Sequence, residues 1–146
     1  MPSNSTLYET DFHAWVNEQA ALLRAGRLTE ADVENIAEEM ESMGRSERRE
    51  LANRLALLMI HLLKWRHQEE RRGNSWRLTI EEQRVQVGRH LRDNPSLKSQ
   101  LHEAVQDAYE IARLRATRET GLPRQTFPPS CPFSFDDAMN PDFWPE

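Results

Sequence analysis

One cysteine, Cys131, stands in 146 residues, so no disulfide can form within the chain. That usage fits a reducing compartment. No apolar run approaches the roughly 18 residues of a membrane span. The opening MPSNSTLYETD lacks the charged-then-apolar pattern of an export signal. A cytoplasmic protein without membrane or secretory segments is therefore expected. Glycine-rich phosphate loops and nucleophile elbows are missing. Cys131 lies between Ser130 and Pro132, far in sequence from any histidine, which removes the usual nucleophile arrangement. None of the five histidines has an acid three residues before it, so the Glu-x-x-His pattern of carboxylate-bridged metal bundles is also missing. No cofactor is implied. The net charge of −5 gives no global footprint for nucleic acid.

What is present is helical periodicity. In the stretch 46–66, SERRELANRLALLMIHLLKWR, residues Leu51, Leu55, Leu58, Met59 and Leu62 share one helical face. Between Leu55 and Leu63 only His61 is polar. A helix apolar over most of its circumference must be covered by other helices. The fold expected is an all-α bundle of about five helices in a single domain, 1–146. A chain of this length buries roughly 68–70% of its unfolded surface and needs no metal or disulfide to do so.

Residues 1–6 are expected to fray. The first helix should run from about Thr10 to Ala25, with Phe12, Trp15, Val16, Leu22 and Leu23 inward, Tyr8 or Thr10 marking its start and Gly26 closing it. Thr29 and Asp32 fit a capping box, and Leu28 with Val33 a hydrophobic staple, for a second helix. Its buried stripe would be Val33, Ile36, Ala37, Met40 and Met43, with Gly44 ending it and Ser46 capping the central helix. Gly73-Asn74-Ser75 breaks the pattern. A further helix follows, capped by Ser75 or by Thr79 with Glu82, with Trp76, Ile80, Val87 and Leu91 on one stripe. Asn94-Pro95 opens the last long helix, with Leu97, Leu101, Val105, Ala108, Ile111 and Ala112 inward and Gly121 at its end.

The tail, 121–146, differs in composition. It holds six of the eight prolines, which excludes a long helix, together with Phe127, Phe133, Phe135, Phe143 and Trp144. Aromatics of this number favour order over disorder. The tail should wrap the bundle in extended form, with one short helical turn from Ser134 to Asp137.

The order YETDFHAWVNEQAALLRAG, ENIAEEMESMGRSERREL, LLKWRHQEERRGNSWR, NPSL, ETGLP and CPF…NPDFWPE resembles the bacterial Domain of Unknown Function family 29, from about Tyr8 to Glu146. The resemblance implies a compact all-α bacterial protein. It supplies no catalytic residues.

Charge is segregated. Residues 44–92 hold twelve Arg or Lys and six acids, while 28–43 carry six acids and no base. Lys64, Arg66, Arg71, Arg72 and Arg77 are interleaved with Trp65 and Trp76, a mixture that binds nucleic acid by phosphate contact and base stacking. The same tryptophans at helical spacing also suit core anchors. Arg54 and His61, seven apart, share a helical face, where an arginine and a histidine acting as general acid or base suit phosphate cleavage. Their spacing is similar to the signature of the higher eukaryote and prokaryote nucleotide-binding ribonucleases, although Leu55 stands where that family usually has a polar residue. The plainer expectation is that His61 or Arg54 pairs with Glu34, Glu38 or Glu41 of the adjacent acidic helix, which would raise the imidazole pKa. Glu34 and Glu38 with His61 are the residues available to a metal. The leading expectation is a non-enzymatic interaction module that binds a protein partner or itself. The alternatives are a nucleic-acid-binding or RNA-cleaving protein and a metal-binding bundle.

Overall fold

The computed structural model describes residues 4–146. The chain is an all-α bundle with no strand among the described residues. Six α-helices follow in order: α1 (Asn4–Thr10), α2 (Phe12–Arg24), α3 (Val33–His67), α4 (Asn74–Asp93), α5 (Leu101–Thr120) and α6 (Phe135–Met139). Short 3-10 turns join several of them. Of the segment expected to fray, residues 1–3 lie outside the described residues, and 4–6 form the first turn of α1. No helix is long and apolar enough to cross a membrane among the described residues. Where length suggests one domain, the chain falls into two compact units, Met1–Ser46 and Glu47–Glu146.

The first unit contains α1, α2 and the beginning of α3. Asp11 caps α2 by accepting from Ala14 N–H, in place of the expected Tyr8 or Thr10. At the other end Arg27 N–H donates to Leu22 O (2.9 Å) and Gly26 N–H to Leu23 O (3.1 Å), a Schellman closure with Gly26 left-handed at φ 73°. The expected capping box does not form. Leu28–Glu30 is a 3-10 turn instead, and α3 starts at Val33. Asp32 takes the junction because its carboxylate is claimed from two sides. It accepts from Trp15 Nε1 (3.1 Å) and Asn35 Nδ2 (2.8 Å), while its own N–H donates to Gln19 Oε1 (2.7 Å). Trp15 and Gln19 are the buried residues of α2. Tyr8 packs on Trp15 at 4.7 Å between ring centres and donates its hydroxyl to Glu39.

Gly44 does not end a helix, and Ser46 caps nothing. The backbone stays helical through both. One glycine lowers helix stability by only about 0.5–1 kcal/mol relative to alanine, and the strongly helical sequences on either side outweigh that. The expected buried stripe of this segment is largely in solvent: Val33 is 60%, Met40 67% and Met43 68% exposed. Phe12, Val16 and Leu23 of α2 are exposed as well.

The second unit is built on residues 51–65 of α3. Leu51, Leu55, Leu58, Leu62 and Leu63 are fully buried, and Ala56, Met59, Ile60 and Trp65 nearly so. Ile80, Val87 and Leu91 of α4 join the same apolar cluster. α4 starts on Gly73, whose carbonyl accepts from Arg77 N–H, so neither Ser75 nor Thr79 caps it. The inner face of α5 is a ridge of small residues, Ala104, Ala108, Ala112 and Ala116, with Tyr109 beside it. A ridge of alanines four apart permits close helix approach. Ile111, expected inside, is exposed. Gly121 closes α5 in the left-handed conformation, φ 73°.

The tail packs on this unit through Phe127, Phe133 and Ala138, all buried. Ser134 caps α6 by accepting from Asp137 N–H (3.0 Å). Extended chain leaves carbonyls without helical partners, and arginines take them. Arg84 donates to Ala138 O (2.8 Å) and Phe143 O (2.7 Å), Arg113 to Phe127 O (3.1 Å), and Arg72 to Pro145 O (3.4 Å). Tyr109 adds a hydroxyl donation to Pro128 O at 2.6 Å.

Two stability measurements check this packing. Leu58→Ala should cost about 2–5 kcal/mol in denaturant unfolding, the range for a buried leucine that leaves a cavity. Arg84→Met should destabilise the tail by leaving two buried carbonyls without donors, about 1–3 kcal/mol each before relaxation. Proteolysis within 127–146 should then precede global unfolding.

Candidate functional site

The basic and aromatic residues that suggest nucleic-acid binding come together mostly by binding one another. Arg72 Nε donates to Trp65 O (2.6 Å) at the end of α3, and its guanidinium lies 5.4 Å from the Trp65 ring centre. Arg77 is placed over both Trp65 (5.8 Å) and Trp144 (5.5 Å). Arg84 covers Trp144 at 5.2 Å, and Trp65 and Trp144 meet at 4.8 Å. Lys64 pairs with Glu119 (3.3 Å) and lies 5.7 Å from the Trp76 ring centre. Stacked cations of this kind add about 0.5–2 kcal/mol each according to exposure. Of the five candidates, Arg66, Arg71 and Arg77 are exposed and form no ion pair among the described residues, and of these three only Arg77 lies over aromatic rings. Arg84 is the residue that sequence reasoning missed. It is 6% exposed, forms no ion pair among the described residues, and keeps one buried nitrogen, Nη1, without a partner. Its desolvation lowers its pKa. Its place at the middle of the buried α4 stripe, between Ile80 and Val87, was the available signal.

Arg54 and His61 do not converge. Arg54 Nε donates to Glu50 Oε1 at 2.7 Å, one turn back on the same helix. His61 Nδ1 donates to Leu57 O at 2.9 Å, also one turn back. Neither meets Glu34, Glu38 or Glu41. The turn that would have brought the acidic segment alongside does not exist, because α3 is continuous there. The expected rise in the His61 pKa is reversed. Burial pushes it below its ordinary value, with Lys64 adding to that, against the Leu57 hydrogen bond and the Glu119 charge. His67, set edge-on to Phe127 at 5.1 Å, is lowered by burial too. For metal, no three His, Cys, Asp or Glu side chains come together among the described residues, so Glu34, Glu38 and His61 form no ligand set.

An open groove of about 970 Å³ runs between α5 and the tail, lined by Leu101, Val105, Tyr109, Arg113, Cys131 and Phe135 among others. Two of its polar groups are already engaged: the Tyr109 hydroxyl and the Arg113 guanidinium both donate to tail carbonyls. Burial raises the Tyr109 phenol to about 12 and also raises the Cys131 thiol, whose Sγ lies 3.2 Å from Phe133 O. In both groups burial favours the protonated form.

These features define an all-α protein whose buried polar groups mostly serve packing. The chain belongs to the family described as Domain of unknown function DUF29, which it matches over residues 7–144. No curated protein and no solved structure matches it.

The buried histidine and the stacked arginines each set a measurable behaviour. A histidine with a lowered folded pKa contributes stability that is present above its ordinary value of 6.5 and lost as pH falls through the folded value. The melting temperature should therefore drop as pH falls below about 6.5, and His61→Gln should flatten part of that slope in calorimetry. Separately, Arg72→Ala and Arg77→Ala should lower thermal stability. Arg66→Ala and Arg71→Ala should leave it within about 0.5 kcal/mol, and they alone should reduce the salt slope of any RNA binding, by about 0.9 for each phosphate no longer neutralised.

Proposed function

We propose that this protein is a non-enzymatic interaction module of the bacterial cytoplasm, and that it docks through the exposed apolar face of the first unit. The observation that carries the reading is the exposure of Leu28, Val33, Met40 and Met43, each 60% or more in solvent. Seven of the eleven exposed large apolar residues among the described residues lie before Gly44. Scattered apolar residues are ordinary on a surface, whereas a run of them along one helix face marks an interaction site. The chemistry elsewhere supports the same reading. The candidate acid or base is tied to backbone through one ring nitrogen, and burial favours the protonated thiol and phenol.

The nucleic-acid alternative rests on Arg66 and Arg71, which are exposed and, unlike the also exposed Arg77, lie over no aromatic ring and form no ion pair among the described residues. Purification of the tagged protein from its own host, followed by intact-mass analysis of the complex, separates the readings. A stoichiometric protein component that dissociates with Met40→Glu and Met43→Glu is the expected result. Stoichiometric RNA or metal on a single chain would overturn it.

A further inference from the structure

Resting on that docking reading, we propose that the occupant of the exposed α3 face is the same face of a second copy of this chain, in antiparallel orientation. Three independent observations lead there.

The first is the poverty of the first unit's own core. In a unit of 46 residues only Trp15 and Gln19 are buried among the described residues, and one of those is polar. Small units of this size generally need a disulfide, a metal or association to be stable. The single cysteine excludes a disulfide within the chain, and no metal-ligand cluster exists among the described residues.

The second is Gly44. It sits inside a continuous helix, where glycine is unfavourable relative to alanine. A Cβ there would meet nothing within 4 Å, so nothing in the chain itself requires its absence. Gly44 follows Met40 by one turn and adjoins Met43, which places it on the exposed apolar stripe. A bare backbone at that point lets a second helix approach closely, as small residues do in tight helix pairs.

The third is the order of charge along α3. Glu34, Glu38, Glu39 and Glu41 come first, then Arg45, Arg48 and Arg49, interleaved with Glu47 and Glu50, which are already engaged by His90 (3.6 Å) and Arg54 (2.7 Å). A parallel pair would stack like on like. In an antiparallel pair with Met40 opposite Met43 of the second copy, Glu34 comes almost level with the partner's Arg48. Helical spacing puts both residues on the same flank of the apolar stripe. Symmetry repeats the pair. In the single chain neither Glu34 nor Arg48 forms an ion pair among the described residues, and Arg48 donates only to the side-chain oxygen of Gln100 at 3.2 Å. Arg45, in contrast, is already paired with Glu38 (3.0 Å) and Glu41 (4.0 Å) on its own helix. A two-fold arrangement of this kind is isologous and closes at two chains.

Sedimentation equilibrium of the full chain at tens of micromolar should give twice the chain mass. Raised salt should weaken the association. Gly44→Leu is the discriminating variant. It places a good helix former in open space, so the helical content of the chain should hold, while the dissociation constant should increase at least tenfold and the melting temperature should lose its dependence on protein concentration. Orientation is read with a short thiol crosslinker in a Cys131→Ser background. Glu34→Cys and Arg48→Cys chains should crosslink when mixed and not when either is alone. A monomer at 100 μM, or a dimer indifferent to Gly44→Leu, would overturn the proposal. A monomer whose host partner still dissociates with Gly44→Leu would overturn self-pairing and leave the docking reading standing. Crosslinking of each single variant with itself would overturn the antiparallel orientation.

Discussion

Between Leu55 and Leu63 α3 has almost no polar side to turn to water, and the second unit follows from that constraint. A helix of this kind buries its whole circumference or does not fold stably. Its two least covered residues, Leu57 and His61, are four apart and therefore on one side. The i to i−4 hydrogen bond from His61 to Leu57 O satisfies one ring nitrogen of the only polar side chain there. Burying the ring disfavours the charged form by more than that hydrogen bond favours it. The same burial that makes the segment a good core favours the neutral form of its histidine.

Covering α3 creates a second problem, which the arginines solve. The proline-rich tail lies on the unit without a repeating hydrogen-bond pattern, and buried carbonyls without donors cost about 1–3 kcal/mol each. A guanidinium carries five donors on a planar group that also stacks on aromatic rings. Arg84 uses both properties at once, donating to two tail carbonyls while stacked on Trp144. Arg72 does the same between Trp65 and Pro145. The positive charge of residues 44–92 is thus partly a device for holding backbone.

This explains which features were legible in the order of residues. The apolar run of the central helix, the end of α4 at Asn94, the αL closure at Gly121 and the Ser134 turn depend on local pattern, whereas Pro95–Gln100 forms a 3-10 helix and the last long helix starts only at Leu101. The arginine roles depend on which carbonyl lies across the fold, and charge patterning carries no such information. Lys64, Arg72 and Arg77 therefore resemble a binding surface in sequence. At Asp32 the local capping-box signal lost to a tertiary one, because Trp15 and Gln19 claim that residue from α2. At Gly44 a real but small breaking preference lost to the helix on either side. The stripe through Val33, Met40 and Met43 is apolar as its spacing indicates, yet it is exposed. Periodicity shows that a face is apolar and not what lies against it.

The two units consequently differ in what they have left over. In the second, most ionisable groups with shifted pKa values are turned inward, and the tryptophans and arginines saturate each other. In the first, a polar junction at Asp32 does the joining, and the apolar side chains stay outside. Helices of mixed polarity gain most of their stability from burying their apolar side. A unit that joins through hydrogen bonds and keeps that side exposed has surface free energy to release on association, whereas the tail-covered unit has already released its own. On the docking reading proposed above, capacity for binding concentrates where the sequence has the least core of its own.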